Sequence, residues 1–483
     1  MVRAFAVYTP PGTPQEEKNP LVAPEDPEAL ERLAAVDHAW LRMDDPTNLM
    51  IINGCLVLER LLDRERLKDL LARRLLSIPR FRERVVRRGG NPYWEIDPGF
   101  DLDAHVLETE LPAPGDDGAL REVVSSLMSE PLGLDRPLWR FHLIDGYKGG
   151  CVIMGRLHHC IGDGMALLLV LLSLTDSTPG PDSDNPFADL FRRPPRSVEA
   201  AKELASQIMP DGIRLLEQTA AAFQSLGPFK TGVLSTGAFA RLLGRPADPK
   251  TRFKGALGVP KRVAWSEPVP LSVVREVGKQ LGGTINDVLV SAMTGGLRRY
   301  LDRYGERAHG LSFRAAMPVN LRSLDRMSEL GNRFGLIFLS LPLGEDDPVS
   351  RLAEVRRRAL ALKRSAEPVV VYAILRMLGV VPLAVQRMVV KIFGTKATAV
   401  MTNVPGPREI LLLAGTPIRE LFFWVPQSGK LGLGISIMSY AGHVRLGLAS
   451  DAGLVPDPEL IVQGFHEELE ALRERASAAG NQA

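Results

Sequence analysis

The sequence predicts an α/β protein made of two sandwich-like domains that face each other. The chain has 483 residues, and a chain of this length usually divides into more than one hydrophobic core. Apolar patterns typical of strands alternate with patterns typical of helices in two blocks, 27–174 and 261–476, as in mixed α/β domains. Between the blocks, the segment 175–195 is dense in proline, aspartate, serine and glycine, which is typical of a linker.

The first block begins and ends with a predicted helix, and strands and further helices lie between these two. Asp63 suits the first position of a helix, and the leucines at 67, 70, 71 and 75 then recur at helical spacing. The run Asp145–Gly150, DGYKGG, is typical of a hairpin turn. The predicted elements are a helix at 28–43, a strand at 50–58, a helix from 63, a strand at 93–96, a helix at 119–129, strands at 138–144 and 151–157, and a helix at 165–174.

The second block follows a stretch of helical pattern at 198–226 and an unpatterned region to about 258, which are expected to bridge the domains. The predicted elements are a strand at 262–265, helices at 271–281 and 285–304, strands at 311–319 and 334–341, helices at 349–364 and 370–393, strands at 397–402, 418–424, 433–440 and 443–449, and a helix at 458–476. These patterns predict four parts: a mobile arm at 1–26, an N-terminal domain at 27–175, a linker with bridging helices at 176–258, and a C-terminal domain at 259–476.

Composition narrows the class of protein. The 59 basic residues nearly balance the 57 acidic ones, which argues against nucleic acid as the main partner. Cys55, Cys151 and Cys160 form neither a metal-ligand pattern nor a disulfide framework, and this favours a reducing cytosolic compartment. No apolar run reaches the roughly 18–20 residues that a spanning helix needs, so the sequence predicts a soluble or peripheral protein.

The run His158-His159-Cys160-Ile161-Gly162-Asp163-Gly164 carries the clearest chemical signal. It lies where an apolar strand meets an apolar helix, so a histidine there is rigidly held beside a turn that leaves room for a substrate. Adjacent residues on a strand point to opposite faces, and we expect only one of the two imidazoles to face a cleft. A metal site is disfavoured because neighbouring histidines on a strand cannot easily bind one ion.

Two residues of this run have further interpretations that stay open. Asp163 precedes an apolar helix and suits its N-cap, a structural role that is compatible with function. An ion pair with an arginine of the second block would stabilise the turn in the same way. Cys160 is a candidate nucleophile paired with a histidine, although a small buried thiol is the commoner state.

The second candidate group is Thr284-Ile285-Asn286-Asp287. Thr-x-x-Asp before an apolar helix is typical of a capping box, and capping alone would explain it. The functional interpretation is that Asn286, near a helix N-terminus, donates a hydrogen bond to developing negative charge, as acyl transfer requires. Arg322 follows a predicted strand and is available for a salt bridge or for solvent.

Together these residues resemble the wax ester synthase/diacylglycerol acyltransferase family of bacteria and plants. That family belongs to the HHxxxDG acyltransferases, which are related to chloramphenicol acetyltransferase and to peptide-synthetase condensation domains. The resemblance covers about 27–476 and is carried by Asp37–Leu41 (DHAWL), Pro137–Trp139 (PLW), His158–Gly164 (HHCIGDG), Asn286–Asp287 (ND), Gly331–Gly335 (GNRFG) and Thr402–Pro407 (TNVPGP).

The resemblance implies two chloramphenicol-acetyltransferase-like domains with an active-site tunnel at their interface. It implies that His159 is the general base for direct attack of an alcohol on the thioester of acyl-CoA, with His158 in support. Asp163 would support the motif by pairing with Arg322. Asn286 would stabilise the tetrahedral intermediate or position the base, and Asp287 would hold the start of its helix.

The implied substrates are acyl-CoA and either diacylglycerol or a long-chain alcohol, with no cofactor beyond the co-substrate. Such lipids imply peripheral contact with the inner membrane face or with lipid droplets. The segment Val370–Phe393 combines apolar residues with Arg376, Arg387 and Lys391, so it suits an anionic interface. An amphipathic pair of core helices is the alternative.

Two rival functions remain. The first is a condensation-type or polyketide-associated acyltransferase that uses carrier-bound thioesters, and no obvious carrier segment accompanies the chain. The second is a non-catalytic protein that binds acyl-CoA or lipid. The presence of His159, Asp163 and Asn286 makes this second rival less attractive.

Overall fold

The computed structural model describes residues 30–178, 244–323, 326–363, 367–427 and 429–480, together with scattered residues between 187 and 206. The arm predicted at 1–26 lies outside the described residues, and so does most of the predicted linker. Among the described helices, none is both long enough and apolar enough to cross a membrane.

The N-terminal part follows the predicted order of strands and helices closely. Its elements are β1 Glu31–Arg32, α1 Ala35–Met43, β2 Ile51–Leu58, α2 Arg64–Arg73, β3 Glu83–Arg88, β4 Asn91–Ile96, β5 Val106–Glu110, α3 Asp117–Met128, β6 Trp139–Tyr147, β7 Gly150–His158, α4 Gly164–Leu174 and β8 Thr175–Asp176. The helix predicted at 28–43 is shorter than expected, because 31–32 pairs as a strand with β4.

The C-terminal part contains the longer helices. Its elements are β9 Lys261–Trp265, β10 Val269–Pro270, α5 Leu271–Leu281, α6 Ile285–Arg303, β11 Phe313–Asn320, β12 Phe334–Leu341, α7 Pro348–Lys363, α8 Glu367–Leu378, α9 Leu383–Thr395, β13 Ala399–Pro405, β14 Leu412–Leu413, β15 Thr416–Trp424, β16 Leu433–Tyr440, β17 His443–Asp451 and α10 Glu459–Gly480. The helical pattern predicted at 370–393 is two helices, separated at Pro382, which precedes the first residue of α9.

Two seven-stranded sheets form the centres of the two domains. The first has the order β5-β6-β7-β2-β15-β14-β8, and the second has the order β10-β17-β16-β13-β11-β12 with β9 also paired to β17. A small sheet, β1-β4-β3, stands apart from both. The hairpin predicted at 145–150 joins β6 to β7, and Gly146, Lys148 and Gly149 have positive φ there, as a tight turn requires.

Two structural features bear on where the domains begin and end. Strands β14 and β15 come from the C-terminal stretch but complete the N-terminal sheet, where Phe422 lies opposite Cys55 of β2. No local sequence pattern indicates this long-range pairing of residues within 259–476 with the N-terminal sheet. Residues late in the predicted linker also belong to the C-terminal domain, since Phe253 packs on Tyr300 and Phe313 and Asp248 forms an ion pair with Arg314.

Apolar packing also crosses between the domains. One buried cluster joins α1 and Met50 of the N-terminal part to β12 and α8 of the C-terminal part, with Trp40, Phe334 and Phe338 at its centre. A second cluster joins Cys55 and Val152 to Trp265 of β9. These shared cores hold the two domains together, and the first of them contacts the histidine motif, because Trp40 and Phe334 pack on His159.

Candidate active site

The histidine motif begins at the last residue of β7, between the ends of two neighbouring strands. His158 lies opposite Ile51 of β2, and its backbone N–H donates to Leu138 just before β6 (2.9 Å). The N–H of His159 donates to the carbonyl of Met50 (2.7 Å). The backbone of both histidines is therefore fixed by the N-terminal sheet before any side-chain contact is made.

The imidazole of His159 is packed between aromatic rings of both domains. Its ring stacks on Trp40 of α1, with centroids 4.3 Å apart and planes 14° apart, and lies 5.6 Å from the ring of Phe334 of β12. Only 8% of the residue is exposed. Burial lowers the pKa of His159 to about 4, against a smaller opposing effect of Asp163, so the ring is neutral at pH 7.

Two polar atoms of this aromatic stack are buried without a hydrogen-bond partner among the described residues. They are Nδ1 of His159 and Nε1 of Trp40. Buried polar atoms almost always have a partner, and sites that lack one often receive it from a bound molecule. The stack therefore has the character of a place that a polar group of a ligand completes.

His158 has different surroundings, as expected for the neighbouring residue. Its Nδ1 accepts a hydrogen bond from the N–H of Cys160 (3.1 Å), and its Nε2 lies 3.8 Å from Oδ1 of Asp44. The ring is buried and shapes the turn. Burial also raises the pKa of the Cys160 thiol well above its usual value, which keeps the sulfur protonated and disfavours the nucleophile interpretation.

The expected contact between Asp163 and Arg322 is present. Oδ2 of Asp163 accepts from Nη2 of Arg322 (2.9 Å) and from the N–H of Arg333 (3.0 Å), and both side chains of the pair are almost fully buried. Oδ1 of Asp163 accepts from the N–H of Ala166 (3.0 Å), so the same carboxylate also caps α4. One oxygen of the carboxylate therefore caps α4, and the other forms the ion pair with Arg322.

Sequence reasoning did not assign a role to Asn332, although it lies in the GNRFG landmark. Its Nδ2 donates both to Oδ1 of Asp37 (2.7 Å) and to the carbonyl of His159 (2.7 Å), and its own N–H donates to the same carboxylate (2.9 Å). Burial raises the pKa of Asp37 to about 7. Asn332, which comes from the C-terminal part, thereby connects Asp37 of α1 to the backbone of His159.

Glycine is required beside this connection. Gly331 has φ +89°, and a Cβ at this position would lie 3.0 Å from Oδ2 of Asp37. Its N–H donates to Ile161 inside the histidine motif (2.9 Å). The two landmarks DHAWL and GNRFG therefore meet at the motif, and their presence in the sequence was the signal that pointed to Asp37, Trp40 and Asn332.

Asn286 and Asp287 lie at the start of α6. Asp287 and Thr284 form the predicted capping box, with Thr284 Oγ1 accepting from the N–H of Asp287 (3.2 Å) and Asp287 Oδ2 accepting from the N–H of Thr284 (2.9 Å). Oδ1 of Asn286 accepts from Nδ2 of Asn403 in the TNVPGP segment (2.9 Å). Within the described residues, no hydrogen bond connects Asn286 to the histidine motif.

An apolar cavity lies at the domain interface next to His159. It has about 600 Å³ of empty space with its open mouth included. Trp40 is part of its wall and separates it from the imidazole. The other lining residues come from α1, β11, β12, α8, α9 and the segments beside them: Met43, Ala316, Leu336, Phe338, Val371, Ile374, Leu375, Leu378, Val390, Phe393, Gly394, Ala397, Gly429 and Leu431.

The described residues contain no group of three or more histidines, cysteines, aspartates or glutamates that is arranged to hold a metal ion. The chemistry that these residues offer is that of a neutral imidazole, hydrogen-bond donors and an apolar cavity.

Two family profiles match the chain. The profile described as the wax ester synthase/diacylglycerol acyltransferase catalytic domain matches residues 33–289. The profile of the C-terminal domain of the same family matches residues 330–473. The first profile alone covers more than half of the chain, and it contains the histidine motif.

Individual relatives agree with the profiles. The Mycobacterium tuberculosis H37Rv protein tgs1, named as a diacylglycerol O-acyltransferase, is 27% identical over 460 residues, which are 92% of this chain and 96% of the relative. The solved wax ester synthase/diacylglycerol acyltransferase of Marinobacter aquaeolei VT8 has a similar fold, with a TM-score of 0.67, 21% identity, and coverage of 92% of this chain and all of that chain.

A more distant structure shares the fold. The first condensation domain of the calcium-dependent antibiotic synthetase has a TM-score of 0.57 at 16% identity, and the match covers 93% of this chain and 97% of that domain. The two-domain α/β architecture predicted from the sequence is thus confirmed. With both family profiles matched in order along the chain, this protein belongs to the wax ester synthase/diacylglycerol acyltransferase family.

Proposed function

We propose that this protein is an O-acyltransferase that moves a fatty acyl group from acyl-CoA to diacylglycerol or to a long-chain alcohol. The products would be triacylglycerol or wax ester. The observation that carries the proposal is the neutral imidazole of His159, which stacks on Trp40 in the wall of an apolar cavity at the domain interface. Family membership and the name of the mycobacterial relative support the same class of reaction.

The reaction needs one group that accepts a proton and one group that stabilises the negative charge of the tetrahedral intermediate. A ring nitrogen of His159 takes the proton of the acceptor hydroxyl, and the oxygen attacks the thioester carbonyl carbon. The tetrahedral intermediate then collapses, the carbon–sulfur bond breaks, and the CoA sulfur leaves with the proton from the imidazolium. A positioned base contributes about 10²–10⁴-fold, and bringing two lipid substrates together supplies a further part of the acceleration.

The neighbouring residues position this base. Asn332 holds the carbonyl of His159, and Asp163 with Arg322 holds the turn that follows it. The side-chain nitrogen of Asn286 has no protein partner among the described residues, and its proposed role is to donate to the developing oxyanion. The substrate itself would then connect Asn286 with the histidine motif, because no hydrogen bond joins the two among the described residues.

The substrates also suggest where the enzyme works. Both the acceptor and the acyl chain are insoluble, so the proposal places the enzyme in the cytoplasm at the inner membrane face or on lipid droplets. The mechanism uses acyl-CoA as co-substrate and no other cofactor.

The experiment is a CoA-release assay with the purified protein. Palmitoyl-CoA is supplied with hexadecanol, with diacylglycerol, or with neither acceptor. The proposal expects release of CoA that depends on an acceptor, together with the matching ester on a lipid chromatogram. Absence of acceptor-dependent release would favour the lipid-binding rival, and release only from a carrier-linked donor would favour the condensation rival.

A further inference from the structure

The helix α9 has an unusual solvent-facing side. Val385, Met388 and Ile392 follow the spacing i, i+3, i+7, so they share one face, and all three are exposed, with Met388 57% exposed. The other side of the helix also contacts the protein through apolar residues, because Val390 and Phe393 line the cavity. A surface helix normally presents polar residues to water, so this stripe is a surface that lacks a partner among the described residues.

The exposed apolar surface continues into the preceding turn. Met377 near the end of α8, Val380 in the turn (70% exposed) and Leu383 at the start of α9 are all open to solvent. We call α8, α9 and the turn between them, residues 367–395, the lipid hairpin. Its apolar exposure is therefore concentrated at the turn and along the outer face of α9.

The exposed charged residues of the lipid hairpin are all basic. Arg376, Arg387 and Lys391 are exposed, and Arg387 and Lys391 flank the apolar stripe on α9. The one acidic residue in 367–395 is Glu367, which is buried and paired with Arg245. Basic side chains beside an exposed apolar stripe are the composition of helices that lie in an anionic lipid surface.

The inner side of the lipid hairpin forms part of the cavity wall. Ile374, Leu375 and Leu378 of α8 line the cavity with Val390 and Phe393 of α9. Trp40, which stacks on His159, is part of the same wall. The hairpin thus has an apolar side toward solvent and an apolar side toward the cavity, which Trp40 separates from His159.

The turn of the lipid hairpin is also bound to the helix that carries Trp40. Nδ1 of His38 donates to the carbonyl of Gly379 (2.8 Å), and Nη1 of Arg42 donates to that of Val381 (2.9 Å). Nε2 of Gln386 donates to the carbonyl of Ala39 (2.9 Å). A Cβ at Gly379 would lie 1.6 Å from the carbonyl oxygen of Ala35, so α1 and the turn are in direct contact.

From these observations we infer that the lipid hairpin docks on a phospholipid bilayer with anionic headgroups and passes the acceptor lipid through the cavity behind it to His159. The inference rests on the proposed function for its second part only. Val385, Met388 and Ile392 enter the acyl boundary of the bilayer, while Arg387 and Lys391 contact the headgroups. Displacement of the turn is transmitted to Trp40 through its hydrogen bonds with α1.

Vesicle binding tests the docking step directly. Full-length protein is floated with vesicles of phosphatidylcholine, with or without phosphatidylglycerol. We expect binding that requires phosphatidylglycerol, loss of binding for Met388→Asp, and weaker binding by about fivefold for each basic charge removed in Arg387→Gln/Lys391→Gln. The matched control is Arg275→Gln/Lys279→Gln, which removes two exposed basic residues at the same spacing on α5.

Activity with two kinds of acceptor tests the delivery step. With octanoyl-CoA and hexanol in solution, Met388→Asp should retain wild-type turnover, whereas turnover of diacylglycerol embedded in vesicles should fall at least tenfold. A wild-type protein that binds vesicles but transfers no acyl group to hexanol would contradict the proposed function and leave docking intact.

Three results would overturn the inference itself. The first is vesicle binding by Met388→Asp equal to that of the wild type. The second is equal binding to vesicles with and without phosphatidylglycerol. The third is a change from dimer to monomer in Met388→Asp on size-exclusion chromatography without any change in vesicle binding, because the stripe would then be a contact between copies of the chain.

Discussion

The ring of Trp40 stacks on the ring of His159 with centroids 4.3 Å apart. The two residues come from opposite ends of the N-terminal part, and the stack is closed by Phe334 of the C-terminal part. One aromatic side chain therefore contacts the proposed base on one side and the apolar cavity on the other. This arrangement removes water from the imidazole and keeps it unprotonated.

Replacing the proposed base should strongly reduce turnover without unfolding the protein. We expect His159→Ala to lose about 10²–10⁴-fold in kcat/KM in the CoA-release assay while its circular dichroism spectrum stays unchanged. Cys160→Ala is the neighbouring control and should remain active, because the buried thiol is not ionised. A folded but inactive Cys160→Ala would return the thiol to consideration as the nucleophile.

The pH dependence of kcat/KM should report the burial of His159. A base works only when neutral, and the pKa of His159 is lowered to about 4, so activity should persist as pH falls below 6.5 and decline only near pH 4. Trp40→Ala would admit water and move the acid limb upward, toward the ordinary pKa of histidine. An acid limb near pH 6.5 in the wild type would contradict the assignment of a buried base.

The two roles of Asp163 can be separated by stability measurements. Asp163→Asn keeps a capping oxygen for α4 but removes the charge, so Arg322 is left buried and unpaired. We expect a loss of about 3–5 kcal/mol in the free energy of unfolding by urea. Asp163→Ala should lose roughly 1 kcal/mol more because the N-cap is also removed.

Arg322 provides the matching half of this experiment. Arg322→Ala should destabilise the protein by an amount similar to that of Asp163→Asn, and the double variant should lose less than the sum of the two. Additive losses would show that the two side chains do not interact in solution.

The stability of the protein should depend on the ionisation of Asp37. Its pKa is raised to about 7 in the folded state from an ordinary value of 3.8. The contribution of Asp37 to the free energy of unfolding is therefore fully present below pH 3.8. It is lost as the pH rises through 7. Asp37→Asn cannot ionise, so its melting temperature relative to the wild type should be higher at pH 8 than at pH 5. A difference between the two proteins that does not change with pH would contradict the raised pKa.

Most individual helices and strands could be predicted because their signals are local. The apolar periodicity of α5 and of β16, the capping box at Thr284 and the turn at 145–150 each depend on residues near one another in the chain. The histidine motif and the capping role of Asp163 could be predicted for the same reason, because each depends on residues near one another in the chain. The pairing of Asp163 with Arg322 followed from family resemblance, since 159 residues separate the two.

The remaining features depend on contacts between distant segments. No local pattern places β15 beside β2, brings Asn332 to the carbonyl of His159, or packs Trp40 between His159 and the cavity. Likewise, the apolar pattern at 370–393 was equally compatible with core helices and with an interface. Only the packing of α9 decided which of its apolar residues are buried and which face solvent.

The sequence by itself therefore determined the α/β class, the order of the elements, the histidine motif and the family, because backbone propensity, side-chain periodicity and motif spacing are properties of short stretches. The tertiary structure alone decided the strand exchange between the domains, the burial that keeps the imidazole of His159 neutral, and the outward-facing stripe of α9. Each of these is set by desolvation and packing, which depend on what the rest of the chain places around a residue.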